Sequence, residues 1–268
     1  MAKVPRLAAG RARALGVPTR GTTAPNRLRR VDRWLLATHG NLLRRAENPL
    51  VVDLGYGSAP VTTVELATRL RGVRAGIRVV GLEIDPERVA AAQPSADPPW
   101  LEFRRGGFEC AGLRATVIRA LNVLRQYPEE AAFQAWQQML GQLAPGGLLV
   151  EGTCDELGRI GCWVTLDATG PRTLTLAARL STVDHPATLA ERLPKALIHR
   201  NIPGQPIHAL IADFDAAWQA SAPMATYGAR QRWVAACQRL ATGWPVLDRP
   251  DRWRRGELTV AYDALKTT

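Results

Sequence analysis

Residues 50–60 read Leu50-Val51-Val52-Asp53-Leu54-Gly55-Tyr56-Gly57-Ser58-Ala59-Pro60. An apolar run ends in a Gly-x-Gly loop, and Pro60 then opens a helix-like pattern. Glycines are wanted where a backbone turns sharply or passes close to a ligand, because a Cβ would block the approach, and the following helix start offers free N–H groups. The carboxylate of Asp53, two residues before the first glycine, sets the sign of any guest. At about 4 Å and an effective dielectric near 20, two unit charges interact by about 4 kcal/mol, so this position repels a pyrophosphate and attracts a cation. The dinucleotide fingerprint G-x-G-x-x-G also fails here: its sixth position is Pro60, and the next strand-end acid, Glu83, lies farther along than the usual spacing of about 20 residues.

Outward from this loop, short apolar runs alternate with helical segments, the signature of a parallel sheet with crossover helices. Expected strands are Leu50–Leu54, Arg78–Ile84, Leu101–Arg104, Thr116–Leu121 and Leu148–Gly152, with helices over Pro60–Arg71, Glu87–Gln93 and Glu129–Leu143. Upstream, Leu28, Val31, Leu35, Thr38 and Leu42 recur at spacings of three and four, which predicts an amphipathic helix over Asn26–Arg45 capped by Asn26. Downstream, Cys162–Ala168 and Thr173–Leu180 flank Thr169-Gly170-Pro171 as an antiparallel hairpin, residues 187–199 and 207–241 are helical in pattern, and Glu257–Tyr262 is a final strand. The expected fold is α/β: a Rossmann-like, mostly parallel twisted sheet, a late antiparallel hairpin and a helical C-terminal elaboration. The expected division is a basic tail over 1–25, a ligand-binding domain over 26–184, and a lid-like elaboration with the final strand over 185–268.

Three segments, in order, resemble the class I S-adenosylmethionine-dependent methyltransferases. The first is Asp53-Leu54-Gly55-Tyr56-Gly57-Ser58-Ala59, in which Ala59 replaces the family's third glycine. The second is Val79-Val80-Gly81-Leu82-Glu83-Ile84-Asp85-Pro86, and the third is Leu143-Ala144-Pro145-Gly146-Gly147. The resemblance covers about residues 48–152 and implies S-adenosylmethionine as cofactor. Asp53 then serves the methionine ammonium, Gly55 and Gly57 pass beneath the cofactor, Glu83 binds both ribose hydroxyls, Tyr56 and Ile84 are further cofactor contacts, and Asn122 either lines the methyl end or is a satisfied strand-end amide. A carboxylate suits a vicinal diol because it accepts two hydrogen bonds. After the third strand, Gly106 and Gly107 stand where the family often has an acid for the adenine amino group, with Glu109 nearby. No general base stands out. The polar segment from His199 and Arg200 to His208 supplies candidate acceptor contacts, and no metal site is expected.

The 268 residues carry a formal charge of +11, of which residues 1–50 contribute +9 and the rest only +2. A near-neutral body favours a small-molecule acceptor, with RNA reached through the basic N-terminus as the alternative and a non-catalytic cofactor-binding protein as the third. The pairs Arg33-Trp34, Arg232-Trp233 and Arg252-Trp253 fit core tryptophans with arginines lying alongside better than base-stacking platforms. Four cysteines without a C-x-x-C spacing predict buried thiols. With neither a signal-like apolar run nor a membrane-length one, a cytoplasmic protein without a membrane partner is expected.

Overall fold

The computed structural model describes residues 24–266. Eight strands form one sheet in the order β3-β2-β1-β4-β5-β6-β7-β8. The strands are β1 (Leu50–Leu54), β2 (Arg78–Glu83), β3 (Leu101–Arg105), β4 (Ala115–Leu121), β5 (Leu143–Cys154), β6 (Ile160–Asp167), β7 (Gly170–Ala178) and β8 (Glu257–Ala261). The first five are mutually parallel, and from β5 onward each strand runs antiparallel to its neighbour. The expected Rossmann-like sheet is therefore present, and its antiparallel part extends beyond a hairpin to a meander that takes in β8.

Helices α1 (Arg29–Arg45), α2 (Val61–Arg71) and α3 (Pro86–Ala92) precede β3. Helix α4 (Glu129–Leu140) links β4 to β5, and α5 (Lys195–Ile198), α6 (Pro206–Ala220), α7 (Ala229–Leu240) and α8 (Pro250–Trp253) lie between β7 and β8. Strand alternation divides the core between the two faces of the sheet. Val52, Val80, Ile118 and Leu149 pack with α4, α6 and α7, while Val51, Val79, Val117 and Val150 pack with α1 and α2. Both faces are thus covered, which is why all five residues of β1 are buried and all but Asp53 are apolar.

Three expectations are corrected. The first helix begins at Arg29 rather than Asn26: Asn26 takes a left-handed backbone (φ 63°), its backbone N donates to Glu65 Oε1 and its Oδ1 accepts from Arg69, so its side chain ties to α2 and does not cap α1. The helical pattern over 187–199 is a 3-10 turn followed by the short α5, broken at Leu193-Pro194. The pattern over 207–241 is two helices, parted by Pro223 and by Gly228 at φ 95°, a conformation that L side chains rarely adopt. The expected basic tail, residues 1–25, lies outside the described residues except for 24 and 25. No described helix is long and apolar enough to cross a membrane.

Candidate functional site

The chain runs from β1 outward through β2 to β3, then crosses back so that β4 lies on the other side of β1. This reversal makes the gap beyond the carboxyl ends of β1 and β4 the place where open α/β sheets receive ligands. Asp53 and Gly55 stand on one side of it and Leu121 and Asn122 on the other. Gly55 and Gly57 hold φ values of 69° and 85°, and Gly55 N donates to Leu82 O at 2.7 Å, so the pairing of β1 with β2 continues into the first residue of the loop.

Glu83, at the end of β2, is 1% exposed. Gly57 N donates to its Oε2 and Ile84 N to its Oε1, each at 3.0 Å, and Arg88 Nη1 lies 3.7 Å from Oε2. The carboxylate is thereby fixed against the glycine loop with acceptor capacity to spare, since an ionised carboxyl has about four lone-pair sites. Tyr56 packs edge-to-face on Phe103 with centroids 5.3 Å apart, and its hydroxyl donates to Arg88 O at 3.4 Å. Burial, reinforced by the charges of Glu83 and Asp53, raises its phenol above the usual value. Ile84 is half-buried beside it.

The cation that Asp53 meets in this structure is Arg119. The two residues are opposite one another on β1 and β4. Arg119 Nε donates to Asp53 Oδ1 at 2.8 Å and Nη2 to Oδ2 at 2.7 Å, while Thr63 Oγ1 donates to Oδ2 at 2.6 Å. Arg119 Nη1 reaches Asp32 on α1, and Arg69 pairs with the same carboxylate at 2.6 Å. Arg119 and Asp32 are fully buried, and the two carboxylates hold the guanidinium charged against the cost of burial. Asp53 therefore anchors the strand end and retains about one lone-pair site. The sequence reading missed Arg119 and Asp32. The signal was Thr116-Val117-Ile118-Arg119-Ala120-Leu121, where an arginine inside a buried strand requires a carboxylate partner.

Asn122 takes a left-handed backbone (φ 65°) and bridges β4 to β5: Cys154 N donates to its Oδ1 at 2.9 Å, and its Nδ2 lies 3.3 Å from Cys154 Sγ. Its amide is satisfied by the protein itself. After β3, Glu109 is exposed and accepts from Gly107 N at 2.8 Å. Arg200 pairs with Glu129, the first residue of α4, at 3.0 Å and stacks over Phe133 at 5.5 Å. Because α4 follows β4 after a short turn, the 199–208 segment is tied down near the carboxyl end of that strand. His199 caps α5 and is exposed, and His208 is half-buried in the first turn of α6. The rings of Trp34, Trp233 and Trp253 are buried, and all four cysteine thiols are buried. Arg232 lies along Trp218, 4.0 Å from its ring.

No protein-family model matches the chain, and no curated protein matches it in sequence. Solved structures similar to it include magnesium protoporphyrin IX methyltransferase (ChlM) from Synechocystis PCC 6803 with bound SAH, at a TM-score of 0.37 and 25% identity over 47% of this chain and 53% of that one. They also include the cyclopropane synthase MmaA2 from Mycobacterium tuberculosis, at 0.35 and 20% over 46% of this chain and 42% of that one. Human N-acetylserotonin methyltransferase in complex with SAM gives 0.33 and 22%, over 50% of this chain and 40% of that one. Each similarity spans about half of the neighbour's length or less.

Proposed function

We propose that the chain binds S-adenosylmethionine at the ends of β1 and β2 and transfers its methyl group to a small molecule. The observation that carries this reading is Glu83, a buried carboxylate held by Gly57 N and Ile84 N directly beside the glycine loop. The residues fit the cofactor. Glu83, a buried acid beside the loop, disfavours a pyrophosphate there, whereas a diol is a group that a carboxylate accepts hydrogen bonds from; the charge of Asp53 is already met by Arg119. Glu83 retains acceptor sites for two hydroxyls, and Asp53 retains about one for an ammonium or an intervening water. The positive φ at Gly55 and Gly57 brings bare backbone under the ligand.

When bound, the cofactor supplies an electrophilic methyl group on a sulfonium. The protein's part is then alignment and exclusion of water. Residues 199–208 suit a cover for the acceptor, since Arg200 fastens them to Glu129 near the Asn122 end of the sheet. His199, Arg200 and His208 are the candidate acceptor contacts. The near-neutral body and the buried tryptophan rings support a small acceptor over a nucleic acid.

Calorimetry with S-adenosylmethionine and S-adenosylhomocysteine tests the assignment. The wild-type chain should bind both, and Glu83→Ala should weaken binding by about 10- to 100-fold, the usual worth of hydrogen bonds to a charged group. Absence of binding up to millimolar concentration, or equal binding by the variant, overturns it.

A further inference from the structure

The structure assigns a second ligand site, for a small molecule bearing two or more phosphate groups, in an arginine-lined cavity between α1 and the turn that leads into β8. The cavity has a volume of about 910 Å³, within the range of small-molecule sites. Arg29, Arg30 and Arg33 line it from the first turns of α1 and Arg230 from the first turn of α7. Four further arginines come from the end of β7 and from residues 252–255, against a single carboxylate, Glu257, among the described lining residues. It is separate from Asp53 and Glu83, neither of which lines it.

Eight guanidinium groups facing one carboxylate repel each other unless an anion joins them. Two of them are built into the wall rather than waving in solvent. Arg252 is buried, in ion contact with Glu257, and its Nε has no hydrogen-bond partner among the described residues. Arg30 donates Nη1 to Arg255 O at 2.8 Å, and its buried Nε is likewise unpartnered. Burial lowers the Arg30 pKa, so its charge is held there at a cost that a bound anion offsets. Planar guanidinium forks match phosphate oxygens in pairs. Eight forks that arrive from four separate stretches of chain exceed what the oxygens of one phosphate can accept, which points to several phosphates on one ligand. The concave shape and a described lining without aromatic rings, whose apolar members are Leu36, Ala37 and Leu180, favour a small polyphosphate over stacked nucleic-acid bases.

The test uses the full chain, with sodium tripolyphosphate, ATP and a 24-nucleotide single-stranded RNA as probes, by calorimetry and thermal shift at two salt concentrations. Arg33→Ala/Arg230→Ala removes two exposed side chains, and its unliganded Tm reports whether the fold is kept. Tripolyphosphate and ATP should bind the wild type and raise its Tm, and the double variant should lose at least 10-fold in affinity for both. No binding by the wild type up to 1 mM overturns the site, as does equal affinity in the double variant, which would place the anion on other basic residues. RNA binding that falls in the double variant, without tripolyphosphate or ATP binding, overturns it in favour of a nucleic-acid surface.

Discussion

Glu151 is fully buried on β5, where Trp136 Nε1 donates to its Oε2 at 3.2 Å and Oε1 has no partner among the described residues. Burial pushes its carboxyl from an ordinary value of 4.5 up to about 8, with the Trp136 bond pulling the other way. Between those two values the folded chain keeps a proton that the unfolded chain has lost. Stability therefore falls as pH rises through that window, and the loss is complete above about pH 8. Glu151→Gln keeps the shape and the acceptor for Trp136 but cannot ionise. Urea unfolding at pH 5 and pH 8.5 should show the variant stabilised at the higher pH by on the order of 4 kcal/mol relative to wild type, and little changed at the lower. Equal pH slopes in the two proteins would refute the assignment. At this scale the sequence was legible where a residue's type names its role, as when Gly55 and Gly57 take the positive φ that the loop requires and Glu83 stands against them. It was not legible where the role depends on a partner distant in sequence. Asp53 could be read as a carboxylate at a strand end, yet its guanidinium comes from a strand 66 positions away.

Among the elements, β2 shows how closely the loop and sheet are fitted. A Cβ at Gly81 would sit 2.7 Å from Phe103 Cδ1 and 3.1 Å from Thr63 Cγ2. Phe103 supports Tyr56, and Thr63 donates to Asp53, so both neighbours belong to the candidate site. Gly81→Ala is expected to leave far-ultraviolet circular dichroism intact, lower the Tm by several degrees, and weaken S-adenosylhomocysteine binding at least 10-fold, because the ring and the threonine must both move. Unchanged affinity would mean that the loop tolerates displacement of its floor. The parallel strands were legible from their apolar runs, since strands covered on both faces carry little else. The helices after β7 were legible only as apolar periodicity. Their breaks follow Pro194, Pro223 and Gly228, whose effect on a helix is local and is masked when the flanking segments share one period.

Taken whole, the molecule joins a five-stranded parallel half to an antiparallel meander, and α1 spans the seam. Trp34 of α1 meets Trp163 of β6 at 5.2 Å, while Asp32 on the same helix pairs with Arg119 of the parallel half. The helices after β7 share one core with the strands, and β8 completes the sheet. A fragment ending at residue 184 would leave Val164, Leu174 and Leu176, all fully buried, without cover. It is expected to bind hydrophobic dye and to melt without a cooperative transition. A fragment that stays monomeric on size exclusion and melts cooperatively would show that the meander needs nothing beyond β7.

The pairing of β7 with β8 joins residues far apart along the chain, Thr175 and Thr259 being 84 positions from one another and hydrogen-bonded at 2.9 Å. On a ribosome adding about 5–20 residues per second, β7 emerges roughly 4–17 s before its outer partner. Throughout that interval its edge presents open N–H and C=O groups beside an apolar face, the arrangement that recruits foreign strands. The nascent chain is thus most vulnerable to aggregation late in synthesis, after its glycine loop and acidic strand ends have already been made.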